Sequence, residues 1–180
     1  MHKGQRPACF VDVFAGCGGL SLGLKRAGWT GLFAIEKDAF AFETLSSNFP
    51  ANKGHLSYVW PEAIERKPWD IRRLIKTRRA ALEQLTGSVH LLAGGPPCQG
   101  FSHAGRRKRD DPRNRLFEAY LELVDILKPN LVLIENVRGF TSDFKTTRKD
   151  SIKNFAEALE ESLSIDYETC SSIRQRRATC

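Results

Sequence analysis

No apolar stretch in this 180-residue chain approaches the roughly 20 residues that a membrane-spanning helix requires, so a helical span is excluded. The start, Met1–Pro7, carries positive charge, but Asp12 breaks the apolar run that begins at Ala8. A secretory leader is therefore not expected, and a cytosolic setting is. The five cysteines, Cys9, Cys17, Cys98, Cys170 and Cys180, are odd in number and show no CxxC spacing, which argues against a disulfide framework and a zinc ribbon. Free thiols are expected. The four histidines are scattered and form no HExxH pair, so no metal site is expected either. Internal repeats and low-complexity segments are also missing.

What remains is an ordinary globular composition, 41% apolar and 27% charged, and a length that suits one domain. The net charge of +7 favours a polyanionic partner, although basic surfaces are often only solvated ones.

The order of elements is readable from periodicity and punctuation. Ala8–Phe14 reads as a buried strand closed by the turn Ala15-Gly16-Cys17-Gly18-Gly19, followed by a helix that Gly28 ends. Gly31–Ile35 is a second strand, with Asp38 positioned to cap the next helix. Residues 50–68 give no clear signal. An Arg- and Lys-rich helix is predicted from Asp70 to about Leu85, then a third strand at Val89–Ala93. Asn114 is placed to cap a helix through Leu127, and Leu131–Ile134 is a fully apolar strand. A last helix is predicted at Ser151–Leu163, leading to a further strand at Ile165–Tyr167. Strands alternating with helices imply an α/β fold, a parallel sheet with helices on both faces. Ligands of such sheets bind beyond the carboxyl ends of the strands.

Three unusual segments fall at those ends. Gly16-Cys17-Gly18-Gly19 lets backbone N–H groups approach a ligand, but Ser21 stands where GxGxxG needs its last glycine, which disfavours a dinucleotide. Glu36 ends the second strand, where a carboxylate can accept hydrogen bonds from ribose hydroxyls. A tight turn packed by glycines explains the first segment about as well as a cofactor does. The second segment is Gly94-Gly95-Pro96-Pro97-Cys98-Gln99-Gly100-Phe101-Ser102, a loop of fixed shape that can present a thiolate to an electrophile. A small buried residue is the commoner fate of a free cysteine. Just downstream, Arg106, Arg107, Lys108, Arg109 and Arg113 suit a phosphate-bearing substrate, or a solvated loop. The third is Glu135, at the end of an apolar strand where burial without a partner is costly. It is either a salt-bridged strand end or a group that shares a proton with a heterocycle nitrogen, with Asn136 and Arg138 holding strand end and substrate backbone.

Together these segments resemble the DNA (cytosine-5) methyltransferases. Phe10–Leu20 is similar to the family's first cofactor motif, GGPPCQGFS to its catalytic-cysteine motif, and Glu135-Asn136-Val137-Arg138-Gly139 to its ENV motif. Asp111–Leu116 is similar to the segment that closes the catalytic loop. The resemblance spans about residues 8–145 and implies a Rossmann-like sheet that uses S-adenosylmethionine. It implies Phe14, Gly16 and Gly18 near the methionine part, Glu36 on the ribose, and Asp70, Ile71, Pro96 and Leu116 around the remainder of the cofactor. It further implies Cys98 as nucleophile and Glu135 as proton donor, with Asn136 and Arg138 in support. Gln99, Ser102, Arg106, Arg107 and Arg113 would contact double-stranded DNA around a flipped cytosine. A restriction–modification context in a bacterial-type cytoplasm, associated with the nucleoid, follows from the same likeness.

The likeness fails towards the carboxyl end. Gln175-Arg176-Arg177 departs from the family's QxRxR spacing, and residues 172–180 are expected to be an unrelated tail. The sequence thus leads us to expect a partial catalytic domain over 1–180, a sheet incomplete at its C-terminal end, and no target-recognition domain. Either a second polypeptide carries that region or the chain is a remnant with little activity. A nicotinamide-dependent oxidoreductase and a non-catalytic nucleic-acid binder are the rival readings.

Overall fold

A computed structural model describes residues 8–51, 54, 56–96 and 115–135. Four strands and four helices alternate: β1 Cys9–Val13, α1 Gly19–Arg26, β2 Thr30–Ile35, α2 Ala39–Asn48, α3 Ile71–Glu83, β3 Leu91–Gly94, α4 Arg115–Leu127 and β4 Leu131–Ile134. The strands form one parallel sheet in the order β2-β1-β3-β4. The chain therefore leaves β1 to one side for β2 and returns to its other side for β3, which creates the crevice where such sheets bind ligands.

Alternation along each strand divides the core between two faces. On one face, Val11, Val13, Phe33, Ile35 and Leu92 pack with Ile71, Leu74, Ile75 and Leu82 of α3 and with the apolar side of α4. On the other, Phe10, Ala34, Leu91 and Ala93 meet Phe42 and Leu45 of α2, the leucines of α1, and Phe49 and Tyr58. Helices on both faces, as the sequence implied, follow from inner strands with no solvent side; every residue of β1 and β3 is buried, whereas the edge strand β4 exposes Leu131 and Leu133.

Several boundaries shift for local reasons. β1 stops at Val13 because Phe14 takes a positive φ of 61°, which ends the extended ladder. β3 starts at Leu91 and includes Gly94, because Gly94 pairs with both Val13 and Ile134. α3 ends at Glu83, where the Thr86 hydroxyl donates to the Glu83 carbonyl and Gly87 N–H turns to Leu127. The segment that gave no sequence signal runs beside β2: Val59 and Trp60 donate their N–H groups to Gly31 and Leu32. Asn114, the helix expected at 151–163 and the strand expected at 165–167 lie outside the described residues. Among the described residues no helix is long and apolar enough to cross a membrane.

Candidate active site

The sheet register places Val13, Ile35, Gly94 and Ile134 in one row at the carboxyl edge. The residues that follow them, Phe14, Glu36, Gly95 and Glu135, therefore emerge side by side. That adjacency is what the sequence could only suggest.

Glu36 fastens this edge together. Its Oε2 accepts the Gly16 backbone N–H at 2.8 Å and its Oε1 accepts that of Asp38 at 2.7 Å, while its carbonyl accepts the Trp69 N–H at 2.7 Å. One residue thus joins the glycine turn, the start of α2 and the approach to α3. Asp38 caps α2 by accepting from Ala41 at 2.8 Å, and Asp70 caps α3 by accepting from Arg72 and Arg73. The Arg72 guanidinium, which donates to the Asp70 carboxylate, holds that carboxyl below its ordinary range against an opposing effect of partial burial. Lys37 Nζ lies 3.7 Å from Asp70 Oδ2, so an ion pair spans the space between the β2 end and α3.

These groups enclose a cavity of about 540 Å³ lined by Phe14, Ile35, Glu36, Lys37, Asp38, Ala39, Trp69, Asp70, Ile71, Gly95 and Leu116. Of the residues implied for a cofactor, it gathers Phe14, Glu36, Asp70, Ile71 and Leu116. Gly16, Gly18 and Pro96 do not line it. Gly18 has φ of +91°, and a Cβ there would fall within 2.3 Å of the Phe49 ring. Its lack of a side chain is accounted for by that ring and by the backbone turn. Pro96 is buried just beyond the Gly95 wall.

Glu135 donates its N–H to Gly94 at 2.9 Å, and its Oε2 stands 3.0 Å from the place a Cβ on Gly95 would occupy. Its exposed carboxylate therefore lies against the first residues of the cysteine loop. Cys98, Gln99, Ser102, Arg106, Arg107, Arg113, Asn136 and Arg138 lie outside the described residues. Among the described residues there is no cluster of His, Cys, Asp or Glu suited to a metal ion.

The sequence reading missed Lys37 and Trp69 as lining residues. An indole directly before the Asp70-Ile71 pair was the available signal for the second. It also passed over a buried polar chain in which Ser21 donates to Asp12 Oδ2 and shares a hydrogen bond with the Tyr58 hydroxyl. Asp12 is 1% exposed in the middle of β1, and a carboxylate so placed demands a partner.

A family model for C-5 cytosine-specific DNA methylases matches residues 8–174. The chain belongs to that family. The Type II methyltransferase M.DdeI of Desulfomicrobium norvegicum is 36% identical over 160 residues, which cover 89% of this chain and 34% of that protein. The Type II methyltransferase M1.HphI of Haemophilus parahaemolyticus is 34% identical over 150 residues, 81% of this chain and 37% of the relative. The chain thus spans about a third of the length of these relatives. Among solved structures, a protein described as a DNA modification methyltransferase encoded within an E. coli prophage superposes with a TM-score of 0.63 at 32% identity, over 89% of this chain and 39% of its own. The Dnmt2 methyltransferase of S. pombe, 22% identical with a TM-score of 0.56 over 89% of this chain and 41% of its own, shares the fold. Methylases of this family use S-adenosylmethionine, so the cofactor expectation holds at the level of the family. Membership also removes the nicotinamide oxidoreductase as a rival.

Proposed function

We propose that this chain holds the cofactor site and the catalytic groups of a DNA (cytosine-5) methyltransferase, and that the product is a 5-methylcytosine in duplex DNA. The observation that carries the reading is the cavity at the carboxyl edge of the sheet. It brings together Phe14, Glu36, Asp70, Ile71 and Leu116, five of the eight residues that likeness to the family implies for the cofactor. Its volume of about 540 Å³ lies within the usual range of small-molecule sites. Phe14, Trp69, Ile71 and Leu116 offer apolar walls to a flat base. Each Glu36 oxygen takes one backbone N–H and keeps acceptor capacity for a ribose hydroxyl. These features fit S-adenosylmethionine, which supplies an electrophilic methyl group when bound.

The remaining chemistry belongs to the chain. Carbon 5 of cytosine is too weak a nucleophile to take a methyl group unaided. Addition of the Cys98 thiolate to C6, with Glu135 holding a proton at N3, turns C5 into an enamine carbon that can accept the methyl. Loss of the C5 proton then restores the ring and expels the thiolate. Because C6 is out of reach inside a duplex, the base must leave the stack, as for methyltransferases generally. Gln99, Ser102, Arg106, Arg107 and Arg113 are the groups we assign to the DNA.

The test has two readouts. Calorimetry should show saturable binding of S-adenosylhomocysteine by the chain; none at millimolar ligand overturns the cofactor site. Duplex DNA containing 5-fluorocytosine, whose C5 fluorine cannot leave as a cation, should trap a covalent adduct with the chain in the presence of cofactor and a supplied recognition polypeptide. An adduct that survives Cys98→Ala would remove Cys98 as the nucleophile. Failure to trap any adduct would favour the non-catalytic nucleic-acid binder.

A further inference from the structure

The cavity and the cysteine loop leave one strongly charged feature unused, the outer face of α3. Ile71, Leu74, Ile75 and Leu82 turn inward, which leaves Arg72, Arg73, Lys76 and Arg79 facing solvent. The helix IRRLIKTRRAALE carries five cations against one anion, a net +4 of the chain's +7. Acidic neighbours neutralise part of it. Arg72 pairs with Asp70 at 2.9 Å, Arg78 with Glu65, and Arg79 with Glu83 at 3.0 Å and Glu122 at 2.9 Å. Arg73 and Lys76 have no acidic partner among the described residues. They stand three positions apart, about 5 Å along the axis, on one side of the helix.

We infer that this stripe, centred on Arg73 and Lys76, docks the phosphate backbone of duplex DNA, a role the sequence had assigned to other residues. The inference rests on the reading that the chain acts on DNA. Two observations favour a polyphosphate over an acidic protein. Between the cations the face offers only Thr77 and Ala80, so it lacks the aromatic or large aliphatic anchor on which protein interfaces are centred. The stripe also begins at the cavity rim, since Asp70 and Ile71 line the cavity at the amino end of the same helix. Backbone contacts of this kind position a duplex without reading its sequence.

The experiment measures binding of the full chain to a duplex of A·T pairs only, which offers phosphates but no cytosine, between 50 and 200 mM salt by fluorescence anisotropy. If Arg73 and Lys76 each neutralise one phosphate, Arg73→Gln with Lys76→Gln lowers the slope of log affinity against log salt by about 1.8. Affinity at about 100 mM salt should fall tenfold or more. Arg26→Gln with Lys128→Gln, an equal loss of charge on α1 and after α4, should leave the slope unchanged. Equal slopes for the two double variants overturn the inference, as does absence of wild-type binding at 50 mM salt. Binding of polyglutamate, but not of the duplex, through Arg73 and Lys76 would overturn it in favour of an acidic protein. S-adenosylhomocysteine binding, followed in parallel, reports an intact fold. Its absence in a wild-type chain that still binds the duplex through the stripe would overturn the methyltransferase reading and leave this one standing.

Discussion

Glu36 Oε2 accepts the Gly16 backbone N–H at 2.8 Å, so the turn after β1 is held by the residue that follows β2. The same carboxylate borders the cavity, which couples the shape of the turn to ligand affinity. Glu36→Ala leaves the Gly16 and Asp38 N–H groups without their acceptor, a loss of about 1–3 kcal/mol for each group kept from water. S-adenosylhomocysteine affinity should fall at least tenfold by calorimetry. Glu36→Gln retains one acceptor oxygen and should fall between wild type and Glu36→Ala. Equal affinity of wild type and Glu36→Ala would show that the carboxylate serves only the backbone.

Gly94 and Gly95 are adjacent but should respond differently to a methyl group. A Cβ on Gly94 would lie 2.7 Å from the Val13 carbonyl oxygen and 3.0 Å from the Tyr120 ring, and neither a central-strand carbonyl nor a fully buried ring can move aside cheaply. Gly94→Ala is expected to cost about 1–3 kcal/mol in urea unfolding. On Gly95 the nearest atom is Glu135 Oε2 at 3.0 Å, the end of a side chain that can swing away. Gly95→Ala should therefore change stability by less than about 0.5 kcal/mol, while lowering methyl transfer because Glu135, which we propose as the proton donor, is displaced. Unfolding curves that coincide for the two variants would contradict the distinction.

Asp70 serves both α3 and the cavity, and two substitutions separate these roles. Asp70→Ala removes the acceptor for the Arg72 and Arg73 N–H groups and should cost about 1 kcal/mol. Asp70→Asn keeps an acceptor oxygen and should restore most of that stability. Its ion pairs with Arg72 and Lys37 disappear, but both partners are largely exposed, so their loss should count for little. A drop in S-adenosylhomocysteine affinity for Asp70→Asn without a drop in stability would tie the charge to the ligand.

What the sequence made legible was local. Asp38 and Asp70 could be identified as caps because a cap and its N–H partners lie within three residues, and β1 and β4 because an apolar run announces itself. Glu36 could be placed at a strand end by the same means. Lys37 and Trp69 escaped notice because contacts between distant segments bring them to the cavity, among them the Trp69 N–H bond to the Glu36 carbonyl. For the glycine turn the sequence left a packed turn and a ligand approach equally open, because the Phe49 ring that a Cβ on Gly18 would meet belongs to another element's C-cap. The extent of β3 was set by Val13 and Ile134, its neighbours on either side, and not by its own composition.

Asp12 should make stability depend on pH in a direction opposite to that of a salt-bridged carboxylate. Burial pushes its pKa up from 3.8 to about 6; the Ser21 hydrogen bonds pull the other way, and the Glu36 charge adds a smaller push upward. Between about pH 4 and pH 6 the folded protein then binds more protons at this site than the unfolded chain, so unfolding free energy falls as pH rises. The stability Asp12 contributes is full below about pH 4 and lost as pH passes about 6. At about 1.4 kcal/mol per pH unit, that window bounds the change at about 3 kcal/mol. Asp12→Asn keeps an oxygen for the Ser21 hydroxyl but cannot titrate. Urea unfolding of both proteins at pH 4 and pH 7 cancels the groups they share. The variant should gain about 1–3 kcal/mol on wild type between the two pH values; a constant difference would place the Asp12 pKa near its ordinary value.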